Sequence, residues 1–361
     1  MADVYANPIM VEALILSREG TITVPEPQPT YYEPGLPPIG TDLKQLERWE
    51  PWVRAYIAVG EMMQGLVLQP SGTNAFQVLS YKVTPATSPP TPSLIAEIQR
   101  PVKATFEQQI PLVLSWAELR DERAVEILAQ IDPQYAFWSS IVYMHTDRTR
   151  RTLELINMVL QFCVYVEMRF KHALGCWRPV EYNAQVQPMI TTPGHGSFPM
   201  GHATQAYAVA YVLKSLLNLF PDPTATPAYP GVPTIVDQLD RLVARITTNR
   251  VIAGVHFPVD SMAGRMLGTA LGEYFVGRCL GGNRTFLKRT FIATGSGNAG
   301  IDNHPTTDFN PFNLTNPPIQ DLDQQGPFYS SAMGPNIPPS PLMGYFWGKA
   351  REEWKGKFGI T

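Results

Sequence analysis

The stretch from residue 148 to about residue 174 constrains the fold more than any other part of the chain. Its apolar residues fall on almost every face of a helix, namely Leu155, Ile156, Val159, Leu160, Val164, Val166, Met168 and Phe170. A helix that is apolar nearly all round has to be covered on all sides by other elements. The sequence therefore predicts a long central helix that carries Lys171 at its C-terminal end.

Helical periodicity continues on both sides of this segment. Further helices are predicted for about 200–220, 236–246 and 257–280. Apolar residues at three- and four-residue steps also predict helix from Leu94 onwards. Because no run shows clean alternation of apolar and polar residues, no strand is predicted. The fold class is therefore all-α, a helical bundle.

Proline-rich stretches set the limits of this bundle. Residues 1–40 are predicted to form an extended arm, since repeated prolines fix φ and remove backbone donors. Residues 41–285 form the helical domain with the candidate catalytic residues, and residues 70–93 within it are predicted to be a loop. Residues 286–361 combine many prolines with aromatic side chains. Such aromatics are rare in disordered segments. We therefore expect an irregular tail that wraps over the core or lies across a dimer interface.

The overall composition excludes several classes of protein. With 361 residues, 44% of them hydrophobic, the chain can bury a large core. A net charge of -3 gives no basic field, so no nucleic-acid partner is expected. The 3 cysteines form no CxxC pair and indicate no disulfide scaffold. No run of about 20 uncharged apolar residues occurs, so no membrane-spanning helix is expected.

The N-terminal stretch lacks the basic region that precedes the apolar run of a signal peptide. We therefore expect a soluble protein and favour the cytoplasm. A secreted or periplasmic location stays open if the chain is a processed form.

Three short sequence motifs, called strings below, contain residues that could bind an anion or take part in catalysis. The first is KHALGCWRP, which contains Lys171 and Arg178. Pro179 disfavours the α conformation at Arg178, so the helix is predicted to end here. A point ammonium and a planar guanidinium can then bind one anion from two sides. The alternative is an ordinary pair of cations that complement the helix dipole.

The second string, SFPMGHA, contains Gly201 and His202 at the predicted start of a helix. Free N–H groups at a helix start bind anions, and the glycine lets the backbone come close to a ligand. His202 is placed there for acid–base chemistry near neutral pH. The alternative is a surface histidine that caps a loop.

The third string, NRVIAGVHFPVD, contains Arg250, His256 and Asp260. Asp260 follows His256 by one helical turn, and a carboxylate there can hold the imidazole in one tautomer. The other ring nitrogen is then free to attack or to coordinate. The alternative is a helix-start aspartate beside a buried arginine. Three strings of complementary chemistry favour a common site for one tetrahedral or trigonal oxyanion.

Taken together, K-x6-R-P, P-x-G-H and R-x3-G-x-H-x3-D resemble the signature of the type 2 phosphatidic acid phosphatase (PAP2) superfamily. That superfamily includes bacterial class A acid phosphatases and vanadium-dependent haloperoxidases. The helical build, the length and the proline-rich arms are more similar to the haloperoxidase branch. The resemblance implies a helical bundle of that type, with vanadate, phosphate or another oxyanion in the site.

The resemblance also implies a role for each site residue. The groups that would bind the oxyanion are Lys171, Arg178, Arg250 and the backbone N–H of Gly201. His256 would be the vanadium ligand, or in a phosphatase the nucleophile. His202 would be the acid–base residue, and Asp260 would orient His256.

Four positions qualify this resemblance. Met200 stands where the family usually has serine, so a hydroxyl donor is lost, and Ser197 is the candidate substitute donor. Asn249 stands where serine or threonine is usual. His195 is similar to a histidine of bromoperoxidases and favours bromide or iodide, although a loop histidine bonded to backbone is an equal alternative.

The resemblance implies a haloperoxidase-like enzyme that oxidises a halide with hydrogen peroxide at a histidine-bound vanadate. Its partners would be peroxide, halide and a small organic acceptor, and we expect a homo-oligomer. The first alternative is an acid phosphatase that forms a phosphohistidine. The second is a non-catalytic protein that binds an oxyanion or serves assembly.

Overall fold

The computed structural model of the chain describes residues 8–21, 42–81, 92–221, 228–281, 285–293, 307–312, 320, 322 and 328–361. Helix α1 (Pro8–Thr21) belongs to a compact unit formed by residues 1–45, and the second unit comprises residues 46–361. The helices of the second unit are α2 (Pro51–Met63), α3 (Lys103–Trp116), α4 (Arg120–Ala129), α5 (Tyr135–Ser139), α6 (Arg150–Leu174), α7 (Pro179–Tyr182), α8 (Gly201–Leu216), α9 (Pro233–Ile252), α10 (Pro258–Leu280) and α11 (Pro341–Glu352). The helical fold class predicted from the sequence is confirmed.

Helices α6, α8 and α10 form the centre of this unit. Helix α6 is 25 residues long and α10 is buried along almost its whole length. The backbones of α10 and α8 approach closely at two glycines. A Cβ atom on Gly264 would lie 2.6 Å from the carbonyl oxygen of Met200, and one on Gly268 would lie 2.2 Å from that of Thr204. Only glycine fits at such a contact.

A five-stranded sheet packs beside these helices and was not predicted. Its order is β1 (Leu66–Ser71), β2 (Ala75–Tyr81), β3 (Pro92–Gln99), β4 (Thr285–Phe291) and β5 (Tyr329–Asn336), with β3 and β4 parallel and the other pairs antiparallel. Two expectations are therefore corrected: residues 70–93 are not simply a loop, and the segment after Leu94 begins as a strand. Ile95 and Ala96 are both fully buried, so the strand lacks the alternation that would reveal it.

The chain termini differ in part from the expected arm and tail. Residues 8–21, predicted to be extended, form helix α1, while prolines 25–38 lie outside the described residues. At the other end, strand β5 and helix α11 give the segment after residue 328 a regular structure. Within the described residues, no helix is long and apolar enough to cross a membrane.

The C-terminal segment also contacts the start of the central helix. The carboxylate of Glu353 accepts hydrogen bonds from the backbone nitrogens of Arg151 at 2.8 Å and Thr152 at 2.9 Å. It accepts a further bond from the Thr152 hydroxyl at 2.8 Å. Because the first N–H groups of a helix have no acceptor within it, Glu353 serves as a cap for α6 from a distant part of the chain.

Candidate oxyanion site

Lys171 lies near the C-terminal end of α6 and is 2% exposed. The helix ends at Leu174, and Gly175 adopts a left-handed conformation with φ 55°, which reverses the chain. The ammonium of Lys171 donates to the carbonyl oxygens of Gly196 at 3.1 Å and Ser197 at 2.9 Å. Lys171 therefore joins the first string to the loop that precedes α8.

Arg178 joins the first string to the third. It precedes Pro179 at the start of α7, and its guanidinium is buried. Nη1 donates to the carbonyl oxygen of Val255 at 2.7 Å and lies 2.9 Å from Nε2 of His256. Nη2 lies 3.2 Å from Nδ1 of His195.

His256 and Asp260 form the pair that the spacing predicted. Nδ1 of His256 lies 2.9 Å from Oδ2 of Asp260, which also accepts from the backbone N–H of Phe257 at 3.0 Å. Burial, together with the charges of Arg178 and Lys171, lowers the pKa of His256 well below its usual value. The ring is therefore neutral, with its proton on Nδ1 towards the carboxylate and a lone pair on Nε2 towards Arg178.

Gly201 begins helix α8 and His202 follows it. The backbone N–H of Met200, the residue before the helix, donates to the carbonyl oxygen of Asp260 at 3.0 Å, which fixes the start of α8 against α10. Nε2 of His202 lies 2.8 Å from the carbonyl oxygen of Gln130 and donates to it. Burial and the charge of Arg250 lower the pKa of His202 to about 4. His202 is thus neutral near pH 7, with Nδ1 as an acceptor.

Arg250, near the end of α9, is the group whose surroundings point most directly to an anion. It is 1% exposed, and its Nη2 donates to the carbonyl oxygen of Ile127 at 2.8 Å. Its Nε and Nη1 find no hydrogen-bond acceptor among the described residues. Burial lowers the pKa of Arg250 to about 10, so the guanidinium stays charged at neutral pH. A buried, charged donor without an acceptor is costly, and an oxyanion would satisfy it.

Two of the positions that qualify the family resemblance also have defined contacts. The Ser197 hydroxyl donates to the carbonyl oxygen of Trp177 at 2.8 Å, so a role as substitute donor requires that this bond be released. Met200 is fully buried, and its Cβ lies 3.3 Å from the place that a Cβ on Gly264 would take. The glycine of α10 therefore allows the start of α8 to pack closely at Met200.

Sequence reasoning missed Gln130, a fully buried residue just after α4. Its side-chain oxygen accepts from Nδ2 of Asn249 at 2.9 Å and from Nη2 of Arg250 at 3.4 Å. Its carbonyl oxygen is the partner of His202. Asn249 stands where the family usually has serine or threonine. It helps to hold Gln130, which in turn positions both His202 and Arg250. No motif in the sequence marks Gln130, because its partners are distant along the chain.

Glu167 is the second residue that was missed. It lies one turn before Lys171 on α6, is 1% exposed, and accepts from Nε2 of Gln205 at 2.8 Å. A Cβ on Gly201 would lie 2.7 Å from its Oε1. Burial raises the pKa of Glu167 to about 7, while the Lys171 charge opposes the rise. The spacing of four from Lys171 was the available signal.

Three buried cations, Lys171, Arg178 and Arg250, come from the end of α6, the start of α7 and the end of α9. The charges of Lys171 and Arg178 act on the carboxyl group of Asp260, and the charge of Arg250 acts on His202. Burial raises the pKa of the Asp260 carboxyl to about 6 and lowers that of the Lys171 ammonium to about 8. The excess of positive charge and the neutral histidines suit an oxyanion better than a metal cation. Among the described residues, no cluster of three or more His, Cys, Asp or Glu side chains could hold a metal ion.

Residues 152–277 match the family model of the PAP2 superfamily, and this range contains all three strings. This match supports the resemblance to the PAP2 superfamily that was inferred from the motifs. The vanadium-dependent bromoperoxidase of Ascophyllum nodosum is 32% identical to the chain over 95 residues. That match covers 22% of this chain and only 17% of the length of the bromoperoxidase.

Proposed function

We propose that the protein is a vanadium-dependent haloperoxidase-like enzyme that oxidises bromide or iodide with hydrogen peroxide. The observation that carries the proposal is the buried, hydrogen-bonded pair of His256 and Asp260. The buried Arg250, whose Nε and Nη1 lack acceptors among the described residues, supports it. A neutral imidazole with one nitrogen fixed by a carboxylate offers the other nitrogen as a ligand. The similarity of part of the chain to a bromoperoxidase supports the same proposal.

The residues present fit vanadate. Nε2 of His256 would be its ligand, and Nε and Nη1 of Arg250 would donate to its oxygens. Lys171 and Arg178 would balance its charge, and Gly201 would add a backbone donor at the start of α8. Bound vanadate would supply an electrophilic centre that activates peroxide towards halide without a change in its own oxidation state.

The protein's own groups would perform three tasks around such a ligand. Arg178 would move its Nη1 from Nε2 of His256 onto the oxyanion, which frees the lone pair for coordination. Lys171 would hold positive charge beside the reacting oxygen. His202, neutral with an acceptor at Nδ1, would take up a proton from incoming peroxide and return it to a departing oxygen.

An acid phosphatase is the second candidate, since the same His256–Asp260 geometry would present Nε2 as a nucleophile to a phosphate ester. The superfamily match supports both reactions equally. Met200, which offers no hydroxyl to the oxyanion, keeps a non-catalytic oxyanion-binding protein as a third candidate.

One paired assay separates these candidates. The purified protein, incubated with orthovanadate, is tested for peroxide-dependent oxidation of iodide and bromide, and without vanadate for hydrolysis of p-nitrophenyl phosphate. We expect halide oxidation that His256→Ala abolishes. Hydrolysis without halide oxidation would instead establish the phosphatase. Absence of both activities, with phosphate binding retained in calorimetry, would leave the non-catalytic protein.

A further inference from the structure

Two neighbouring cavities meet on the loop that follows the central helix. The larger, of about 570 Å³, is bounded by Lys171, Arg178 and His195 on the side of the oxyanion site. The smaller, of about 130 Å³, is bounded by Arg100, Phe106 and Tyr182. Both are lined by residues 175–177, and we call the two cavities together the cleft.

Aromatic rings line the smaller cavity of the cleft. Trp177 and Tyr182 have ring centroids 6.0 Å apart, and Phe106 lies 5.7 Å from Tyr182. Tyr182 in turn meets Phe257 edge-on at 5.6 Å. Phe257 is fully buried and directly follows His256, whereas Trp177 is 57% exposed. The cleft therefore offers an exposed ring, and ring contacts connect it through Tyr182 to Phe257, the neighbour of His256 in the sequence.

The charged groups of the cleft are mainly cationic. Arg100 lines the smaller cavity and reaches the thiol of Cys176. Lys103 is paired with Glu107 at 2.9 Å, and both side chains are exposed. The carboxylate of Glu181 is already bound to the backbone N–H of Arg178 at 2.6 Å. Arg100 is thus the group best placed to attract a carboxylate, with which a guanidinium forms charge-assisted hydrogen bonds.

We propose that this cleft binds the organic acceptor of the reaction and that the acceptor is a small aromatic acid. Its ring would stack on Trp177 and its carboxylate would lie towards Arg100. The role as an acceptor site rests on the proposed haloperoxidase function. In the step concerned, hypohalous acid transfers its halogen to a ring carbon, a ring C–H bond breaks, and the released proton joins hydroxide to give water.

The cleft is positioned to hold the acceptor near the oxyanion site during that reaction. A ring held against Trp177 lies close to the oxyanion site, since residues 175–177 also line the cavity that contains Lys171 and Arg178. A bound acceptor reacts at a high effective concentration, whereas an acceptor in bulk solution competes with every other reactive molecule. The cleft would therefore select aromatic acids over neutral or aliphatic acceptors.

Binding of 4-hydroxybenzoate, measured by calorimetry in the presence of saturating phosphate, tests the proposal directly. We expect 4-hydroxybenzoate to bind alongside phosphate, and cyclohexanecarboxylate and benzamide to bind at least about fivefold more weakly, as loss of the stacking or of the charge contact predicts. Competition between 4-hydroxybenzoate and phosphate would place the acid in the oxyanion site and overturn the proposal. Equal affinity for the three compounds would overturn it as well.

Trp177→Leu and Arg100→Gln locate the binding site. Each should weaken 4-hydroxybenzoate binding by about three- to tenfold, and only Trp177→Leu should weaken benzamide binding. The control is Trp52→Leu, because Trp52 is 58% exposed but lies on α2, outside the cleft. Unchanged affinity in Trp177→Leu, or an equal loss in Trp52→Leu, would contradict the assignment.

Steady-state assays keep this inference separate from the proposed function. Oxidation of iodide to triiodide needs no organic acceptor, so its absence in the parent protein would reject the haloperoxidase function. With that activity present, we expect Trp177→Leu to raise the KM for 4-hydroxybenzoate by about three- to tenfold, relative to Trp52→Leu. An unchanged KM would reject the acceptor site and leave the haloperoxidase function intact.

Discussion

Gln130 is the residue that links His202, Asn249 and Arg250. Its carbonyl oxygen accepts from His202, and its side-chain oxygen accepts from Asn249 and Arg250. Its side-chain nitrogen donates to Glu126 at 3.0 Å. A fully buried amide with this many partners fixes the rotamers of the groups around it. Gln130 is therefore a positioning residue for both His202 and Arg250.

Gln130→Met is expected to weaken phosphate binding by about five- to tenfold, because Arg250 and Asn249 lose a shared acceptor. The free energy of unfolding should fall by about 1–3 kcal/mol for the buried donors left without a partner. Calorimetry and urea denaturation measure the two effects. Gln64→Met, at an exposed position after α2, is the control and should change neither quantity. Wild-type phosphate affinity in Gln130→Met would show that the amide does not position Arg250.

Glu167→Gln is expected to change how stability depends on pH. Burial raises the pKa of Glu167 to about 7 in the folded protein from a usual value of 4.5. Between these values the folded state holds a proton that the unfolded state has released, so this group makes stability fall as pH rises. Glutamine does not titrate, so the variant lacks this decline. The free energy of unfolding of the variant should therefore rise relative to that of the parent as the pH increases from 4.5 to 7. Urea denaturation at several pH values measures the difference, and parallel pH profiles would contradict it.

At the scale of secondary structure, every string of the site lies at a helix end. Lys171 is near the end of α6 and Arg250 near the end of α9, whereas His202 and His256 are at or just before the starts of α8 and α10. Helix ends carry unpaired backbone groups and can direct a side chain off the axis. The site therefore depends on the exact packing of four helices, and the contact between α8 and α10 controls two of its strings.

Gly268→Ala should disturb that contact. The added methyl group would lie 2.2 Å from the carbonyl oxygen of Thr204, and backbone cannot yield as a side chain does. We expect a loss of about 1–3 kcal/mol in the free energy of unfolding, together with weaker phosphate binding. Gly348→Ala is the matched control, since a Cβ there meets nothing within 4 Å inside helix α11, and it should stabilise by about 0.5–1 kcal/mol. Equal stabilities of the two variants would show that α8 and α10 can separate.

The helices were more predictable than the strands for a physical reason. Helices α6, α8 and α10 carry long apolar patterns, and their ends coincide with Gly175, Met200 and Pro258. Strand β3 has both faces covered, so its pattern does not alternate. Its pairing with β4 joins segments far apart in the chain, and no local pattern encodes such a contact.

The site was predictable to the extent that its residues lie in short motifs. The pairing of His256 with Asp260 follows from their spacing of one turn. Gln130 could not be found in this way, because it follows α4, an element without a motif. Gln205 lies on α8 but outside the second string, so no motif marks it either. The contact of Arg178 with Nε2 of His256 was equally hidden, since it depends on how two loops meet.

At the scale of the whole molecule, the C-terminal segment supports the central helix from its far end. Glu353 caps the start of α6, and Nε1 of Trp354 donates to the Thr152 hydroxyl at 2.8 Å. Lys171 lies near the opposite end of α6, roughly 30 Å away at 1.5 Å per residue. The C-terminal segment therefore contributes to stability without touching the oxyanion site.

Glu353→Ala is expected to lower the free energy of unfolding by about 1–2 kcal/mol, the usual effect of losing a helix cap. Phosphate affinity should stay unchanged, since the site lies at the other end of α6. Thermal unfolding and calorimetry measure the two quantities. Glu352→Ala, at the exposed neighbouring position, is the control and should leave stability nearly unchanged. A marked loss of phosphate binding in Glu353→Ala would mean that the cap influences the site through the helix.

The contact between Arg178 and His256 has a kinetic consequence. A guanidinium that rests on the imidazole lone pair shields it from solvent, and any incoming anion has to displace it first. Capture of the anion is then a two-stage event, in which a rearrangement follows the initial encounter. The observed rate constant for anion binding should therefore reach a plateau at high anion concentration. The plateau value is the rate constant for the movement of the Arg178 side chain away from His256.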